Sequence, residues 1–230
     1  MGYFEFDGRR SDDLGLHIQY HPDYPTPERL GEDIIVPGRN GIMRISTGAY
    51  GNVAAQFDTW FKGGAQQAHG VKSWLLASEG YCRLSDSYDP GHFRMAQFLG
   101  PLDIENTLGR VGRCNLEFTC KPQVFLTLGE TPSVFAASGT LENPEAFPAR
   151  PMTRVYGTGT VTINGYACKI NSSDEYTDLD SEIRQAFKDG FSCNDKVLVP
   201  EFPVLGAGTN NIVLDGNITR VEITPRWWTV

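Results

Sequence analysis

Between Cys114 and Cys120 every second residue is apolar: Cys114, Leu116, Phe118 and Cys120 share one face, and Asn115, Glu117 and Thr119 share the other. A strand sends successive side chains to opposite sides, so this stretch fits a sheet with one packed and one wet face. Two of the five cysteines are thereby assigned to a core. Lys121-Pro122 then ends the ladder, because proline has no amide hydrogen to donate. Similar signals recur along the chain. Phe4 and Phe6 alternate with polar neighbours, and Asp7-Gly8 closes that run as a turn. Ile34–Val36 and Ile42–Ile45 flank Pro37-Gly38-Arg39-Asn40-Gly41, and Asn-Gly between apolar runs marks a hairpin. Tyr81–Leu84 and His92–Phe98 read as strands on either side of a turn at Asp86–Gly91.

One segment has a different period. From Ala65 to Ala77 the apolar positions Ala68, Val71, Trp74 and Leu75 recur at three- and four-residue spacing, which predicts a helix ending before Gly80. Gly70 lowers its intrinsic propensity by roughly 1 kcal/mol, so packing must hold it. Beyond Phe125 the texture changes, and residues 129–153 are rich in Gly, Pro, Ser and Thr. Short strands follow at Met152–Tyr156, Gly159–Ile163, Tyr166–Asn171, Glu175–Asp180, Asn211–Asp215 and Ile218–Thr224. Hairpin turns are predicted at Asn164-Gly165 and at Asp215-Gly216-Asn217. A length of 230 residues allows two modest domains, divided here as 1–125 and 126–230. Closely spaced strands joined by turn residues imply antiparallel sandwiches or jelly rolls.

Charge narrows the function. The formal net charge is -8, and acidic residues outnumber basic ones in both halves. Capture of nucleic acid needs clustered Lys and Arg, so this class is disfavoured. No apolar run approaches the ~20 residues that span a bilayer, so no membrane insertion is expected. Met1 to Arg10 is polar and aromatic, without an apolar stretch, so synthesis and folding in cytoplasm are expected. The cysteines stand at 82, 114, 120, 168 and 193, an odd set without zinc spacing, and are expected as free thiols.

Few constellations suggest chemistry. His17 and His21 have the spacing of two ligands on a helix, but Ile18, Tyr20 and Pro22 indicate extended chain, so structural or surface roles are preferred to a metal. His69 and His92 are isolated and read the same way. Asp174, Glu175, Asp178, Asp180 and Glu182 form an acidic cluster. It is read as a solvated strand end or turn; it lacks the glycine and spacing of a calcium loop, and nothing selects two of its carboxylates for glycosidic acid–base work. Gly157-Thr158-Gly159 lacks the third glycine of a dinucleotide fingerprint and precedes a strand. Trp227-Trp228 cannot both enter one core from a strand. One is expected inside; the other is either a platform for sugar or a partner, or lies under a loop of its own chain.

Four motifs in order carry a family resemblance. Phe4-x-Phe6-Asp7-Gly8 with Leu14-Gly15-Leu16 is similar to the start of the distal tail proteins of bacteriophages with long non-contractile tails. So are the Val36–Gly41 hairpin, Phe118–Gln123 at the end of the first domain, and Ile223–Trp228 near the end of the chain. The stretch 183–201 matches nothing in that pattern. The resemblance implies two tandem β-sandwich domains. The first, with one helix and a protruding hairpin, would form a ring of six copies; the second would be galectin-like or carbohydrate-module-like and sit outside the ring. It implies a structural hub in the virion tail tip that joins the tail-tube protein to the tail-associated tip protein and to receptor-binding proteins, with DNA passing through the lumen. No catalytic residue, metal or cofactor is implied. The residues themselves add a candidate contact. A ring needs two different complementary patches, and Ile35, Val36, Pro37, Gly38, Arg39, Asn40, Gly41 and Ile42 fit one of them by edge pairing, although the same residues also fit an ordinary hairpin within the domain. A carbohydrate-binding module acting on the cell wall through Trp227 or Trp228 is the alternative role.

Overall fold

The computed structural model describes residues 1–107 and 111–230, with the side chains of 106 and 107 left aside. The chain divides into two compact units, Met1–Val124 (joined by Val230) and Phe125–Thr229. Both are built almost wholly of antiparallel strands in curled sheets of the β-sandwich type.

In the first unit the strands are β1 (Phe4–Phe6), β2 (Arg9–Arg10), β3 (Leu16–Ile18), β4 (Arg29–Ile34), β5 (Met43–Tyr50), β6 (Val53–Lys62), β7 (Cys82–Asp86), β8 (His92–Gln97), β9 (Glu105–Thr107) and β10 (Val111–Leu126), with helix α1 (Ala65–Ala77) between β6 and β7. The sheet order is β2-β1-β7-β8-β10-β6-β3, and β9 also pairs with β10. The alternation read from the sequence governs β10: Cys114, Leu116, Phe118 and Cys120 are buried, while Asn115 and Glu117 are exposed. The ladder between β10 and β6 stops at the Cys120–Val53 pair, just before Lys121-Pro122, although the extended chain runs on to Leu126. Helix α1 has the predicted bounds and buries Val71, Trp74 and Leu75. Its Trp74 stacks on Phe4 at 5.6 Å, within an aromatic core of Phe4, Phe6, Phe57, Phe98 and Phe118.

The second unit contains β11 (Ser133–Phe135), β12 (Gly139–Asn143), β13 (Met152–Ile163), β14 (Tyr166–Ile170), β15 (Tyr176–Asp180), β16 (Gln185–Lys188), β17 (Phe191–Ser192), β18 (Val197–Leu198), β19 (Gly208–Thr224) and β20 (Trp228–Thr229). The main path is β11-β19-β13-β15-β16-β17. Asn164-Gly165 makes the predicted hairpin between β13 and β14, with both residues at positive φ. The other turn signals in this unit are overridden. Met152–Ile163 is one strand rather than two, and Asp215-Gly216-Asn217 is not a hairpin but the middle of β19. The reason is a close crossing. A Cβ on Gly157 would stand 2.3 Å from the Asn217 carbonyl oxygen, and one on Gly159 would stand 2.1 Å from that of Asp215. Glycine here lets two long strands bulge and bend together, at a register shift beside Tyr156, instead of turning back.

All five cysteines are free, and all but Cys82 are buried. Burial pushes the Cys120 thiol up to about 11 and that of Cys168 up to about 12. Among the described residues no helix is long and apolar enough to cross a membrane.

Candidate functional site

Strands β4 and β5 form a two-stranded sheet of their own. Ile34 pairs with Met43, Asp33 with Arg44 and Glu32 with Ile45. The turn therefore spans residues 35–42, longer than the Pro37–Gly41 turn read from the sequence. Pro37 cannot donate to a ladder, and Gly38 and Gly41 take positive φ, so the arms cannot close further. All eight candidate contact residues, Ile35 to Ile42, fall in this turn. Arg44 braces the base: it donates to the Arg29 carbonyl at 2.9 Å and lies within 4 Å of Glu28 and Asp33. The apolar side chains of the hairpin gain little shelter. Ile35 is 76% exposed and Ile42 64%, with Leu30, Met43 and Ile45 also exposed. An isolated two-stranded hairpin is marginally stable in water, and these exposed apolar side chains give it no core of its own.

The acidic cluster has a different character from the solvated one expected. The Asp178 side chain is 3% exposed and is held by two hydrogen bonds from Arg154, Nε to Oδ1 at 2.7 Å and Nη2 to Oδ2 at 2.8 Å. Asp180 is also buried and receives both Nη groups of Arg226 at 2.8 Å. Burial pushes its carboxyl up, but the Arg226 hydrogen bonds and the Glu182 and Ile183 amides outweigh that and hold it below the usual carboxylate range. Asp174 and Glu175 face Lys196 and Lys188 in exposed pairs. Two carboxylates locked bidentately by arginine are architectural braces and are poorly placed to move protons. No local signal points to these partners, because each arginine lies 24 or 46 residues from its acid. Removing one partner would strand a buried charge. Arg154→Ala is expected to cost about 3 kcal/mol in chemical unfolding, whereas Arg154→Met with Asp178→Leu recovers most of it. A single-variant loss near zero would show that water already solvates the carboxylate.

Trp227 is 3% exposed and belongs to the second core. Trp228 is half-buried: its ring stacks on Phe147 at 4.7 Å, and its Nε1 donates to the Pro148 carbonyl at 3.0 Å. His17 lies in β3 beside Trp60, and His21 packs against Tyr88 at 4.8 Å. His92 pairs with Asp89 at 2.7 Å, and His69 is exposed on α1. Among the described residues no three His, Cys, Asp or Glu side chains converge as metal ligands.

No family model matches the chain, and no curated protein matches it. Solved structures do. The chain is similar to the Dit protein of phage SPP1, described as a paradigm of the hub adsorption apparatus in phages infecting Gram-positive hosts, with a TM-score of 0.76 and 12% identity over 100% of both chains. It is similar also to a chain of the phage P2 baseplate in its activated conformation with calcium, with a TM-score of 0.56 and 8% identity over 97% of each. Along its whole length, then, the chain has the fold of a siphophage distal tail hub protein.

Proposed function

We propose that this protein is a structural component of a phage tail tip. Copies of it assemble through their first units into a closed six-membered ring. That ring joins the tail tube to the tip and host-recognition proteins, and DNA passes through it. The observation that carries the reading is the full-length likeness of both units, in order, to a phage hub protein. The hairpin supports it, since a heterologous ring needs a projecting patch that finds a different patch on the next copy. The acidic surplus suits a conduit, because like charge on a lumen would discourage DNA from sticking. The second unit then serves as an outer spacer or docking module. The sugar-platform reading loses support from the burial of Trp227 and the cover that Phe147 gives Trp228.

The test is the solution mass. Sedimentation velocity at micromolar concentration is expected to show a species of about six subunits, and negative-stain images a ring with a central hole. Ile35→Asp with Ile42→Asp, both at exposed turn positions, is expected to return the chain to a folded monomer. A wild-type chain that remains a monomer at these concentrations overturns the assembly reading.

A further inference from the structure

The chain contains two Asn-Gly pairs, Asn40-Gly41 and Asn164-Gly165. In this dipeptide the glycine amide nitrogen can attack the asparagine side-chain carbonyl, because the following residue has no side chain to block the approach. Both pairs are exposed, and a Cβ on either glycine would meet nothing within 4 Å. Space therefore does not separate them. What separates them is how each asparagine is held.

Asn164 is tied down through its side chain and its backbone. Its Nδ2 donates to the Val204 carbonyl at 3.2 Å and to Asn210 Oδ1 at 2.5 Å. Its Oδ1 accepts from the Asn211 N–H at 3.0 Å, and its own N–H donates to the Asn211 carbonyl at 3.0 Å. Asn164 and Gly165 both stand at positive φ in the hairpin between β13 and β14, flanked at once by the Ile163–Tyr166 pair. The side chain cannot swing onto the next nitrogen until those bonds open. Asn40 has no such hold. It lies in the turn beyond the last β4–β5 pair, Ile34 with Met43. The Arg39 N–H donates to the Val36 carbonyl at 3.2 Å, but among the described residues neither the Asn40 side chain nor the Gly41 amide has a hydrogen-bond partner.

We infer that Asn40 is a self-modification site, at which the side-chain amide is lost by cyclisation onto the Gly41 nitrogen without an enzyme. The Gly41 nitrogen gives its proton to hydroxide and bonds to Asn40 Cγ. The Cγ–Nδ2 bond breaks, and that nitrogen takes a proton from water and leaves as ammonia. Water then opens the cyclic imide at either carbonyl. One opening yields aspartate at position 40. The other yields isoaspartate, whose main chain runs through the former side chain and is longer by a methylene. No electrons are transferred, and water is the co-reactant. Each event sets a new carboxylate beside Arg39, which forms no ion pair among the described residues. It makes the formal net charge of -8 more negative by one. Charge and chain connectivity thus change together between the exposed Ile35 and Ile42. This chemistry goes beyond the proposed assembly and does not depend on it.

Timed incubation of the wild-type chain in neutral and mildly alkaline buffer, followed by peptide mapping with mass spectrometry, tests this. Conversion adds about 1 Da to the peptide that carries the site. In the folded chain Asn40 is expected to convert about a hundredfold faster than Asn164, which must first open. The Asn40 rate is expected to rise about tenfold per pH unit, as does the deprotonated share of a group far below its pKa. In guanidinium chloride, where the bonds at Asn164 are gone, the two rates are expected to agree within about threefold. Chromatography of the Asn40 peptide is expected to resolve aspartate and isoaspartate forms, the mark of a cyclic intermediate. Asn40→Gln moves the carbonyl one carbon further out and is expected to abolish the product at this site. A folded chain whose Asn40 converts no faster than its Asn164, as single subunits or as an oligomer, overturns the inference. Conversion at Asn40 to aspartate alone also overturns it, since that would be direct hydrolysis.

Discussion

Phe118→Ala is expected to destabilise the first unit by about 4 kcal/mol. Phe118 is fully buried and is the hub of the aromatic core, with ring centroids 5.0 Å from Phe6, 5.4 Å from Phe98, 5.6 Å from Phe4 and 5.9 Å from Phe57. Truncation removes the transfer energy of the ring and leaves a void walled by four other rings, which cannot collapse without leaving their own contacts. Urea unfolding followed by exchange of the β10 and α1 amides reads the loss in this unit. Phe118→Leu keeps most of the volume and is expected to cost about half as much. A change below about 1 kcal/mol for the alanine variant would mean that the core repacks freely, against the close packing seen here.

Gly159→Ala is expected to cost about 3 kcal/mol or more in the second unit, an unusual penalty for one methyl group. The added carbon would lie 2.1 Å from the Asp215 carbonyl oxygen, and the backbone at 159 has φ of 147°, a region that side chains rarely occupy. The neighbour it meets is main chain in a paired strand and cannot swing aside. Exchange of β13 and β19 amides reports the effect locally. A variant as stable as the wild type would show that the two strands do not approach so closely. Gly165→Ala offers a control: at φ of 87° it suffers backbone strain, but its Cβ meets nothing within 4 Å, so a smaller loss is expected.

The contrast between these glycines also shows how far the sequence could be read. Local signals sufficed where neighbours along the chain decide the structure. The alternation of Cys114–Cys120, the period of Ala65–Ala77 and the Asn164-Gly165 turn each act within a few residues, and each appears as expected. They failed where a distant strand decides. Asp215-Gly216-Asn217 has turn chemistry, yet β13 holds it extended through pairs such as Gly159 with Gly216. The acid cluster looked solvated because Arg154 and Arg226 are remote in sequence. The hairpin was legible as a hairpin from its own residues, whereas its exposure followed only from the family resemblance, since isolation from a sheet has no local signature.

The sulfur chemistry of this molecule has a practical side. Cys120 and Cys168 keep their protons far above neutral pH, walled in by hydrocarbon. A protonated, sequestered sulfur neither attacks an oxidant nor exchanges with a bridge on another molecule. An oxidising solvent is therefore expected to leave these two groups untouched.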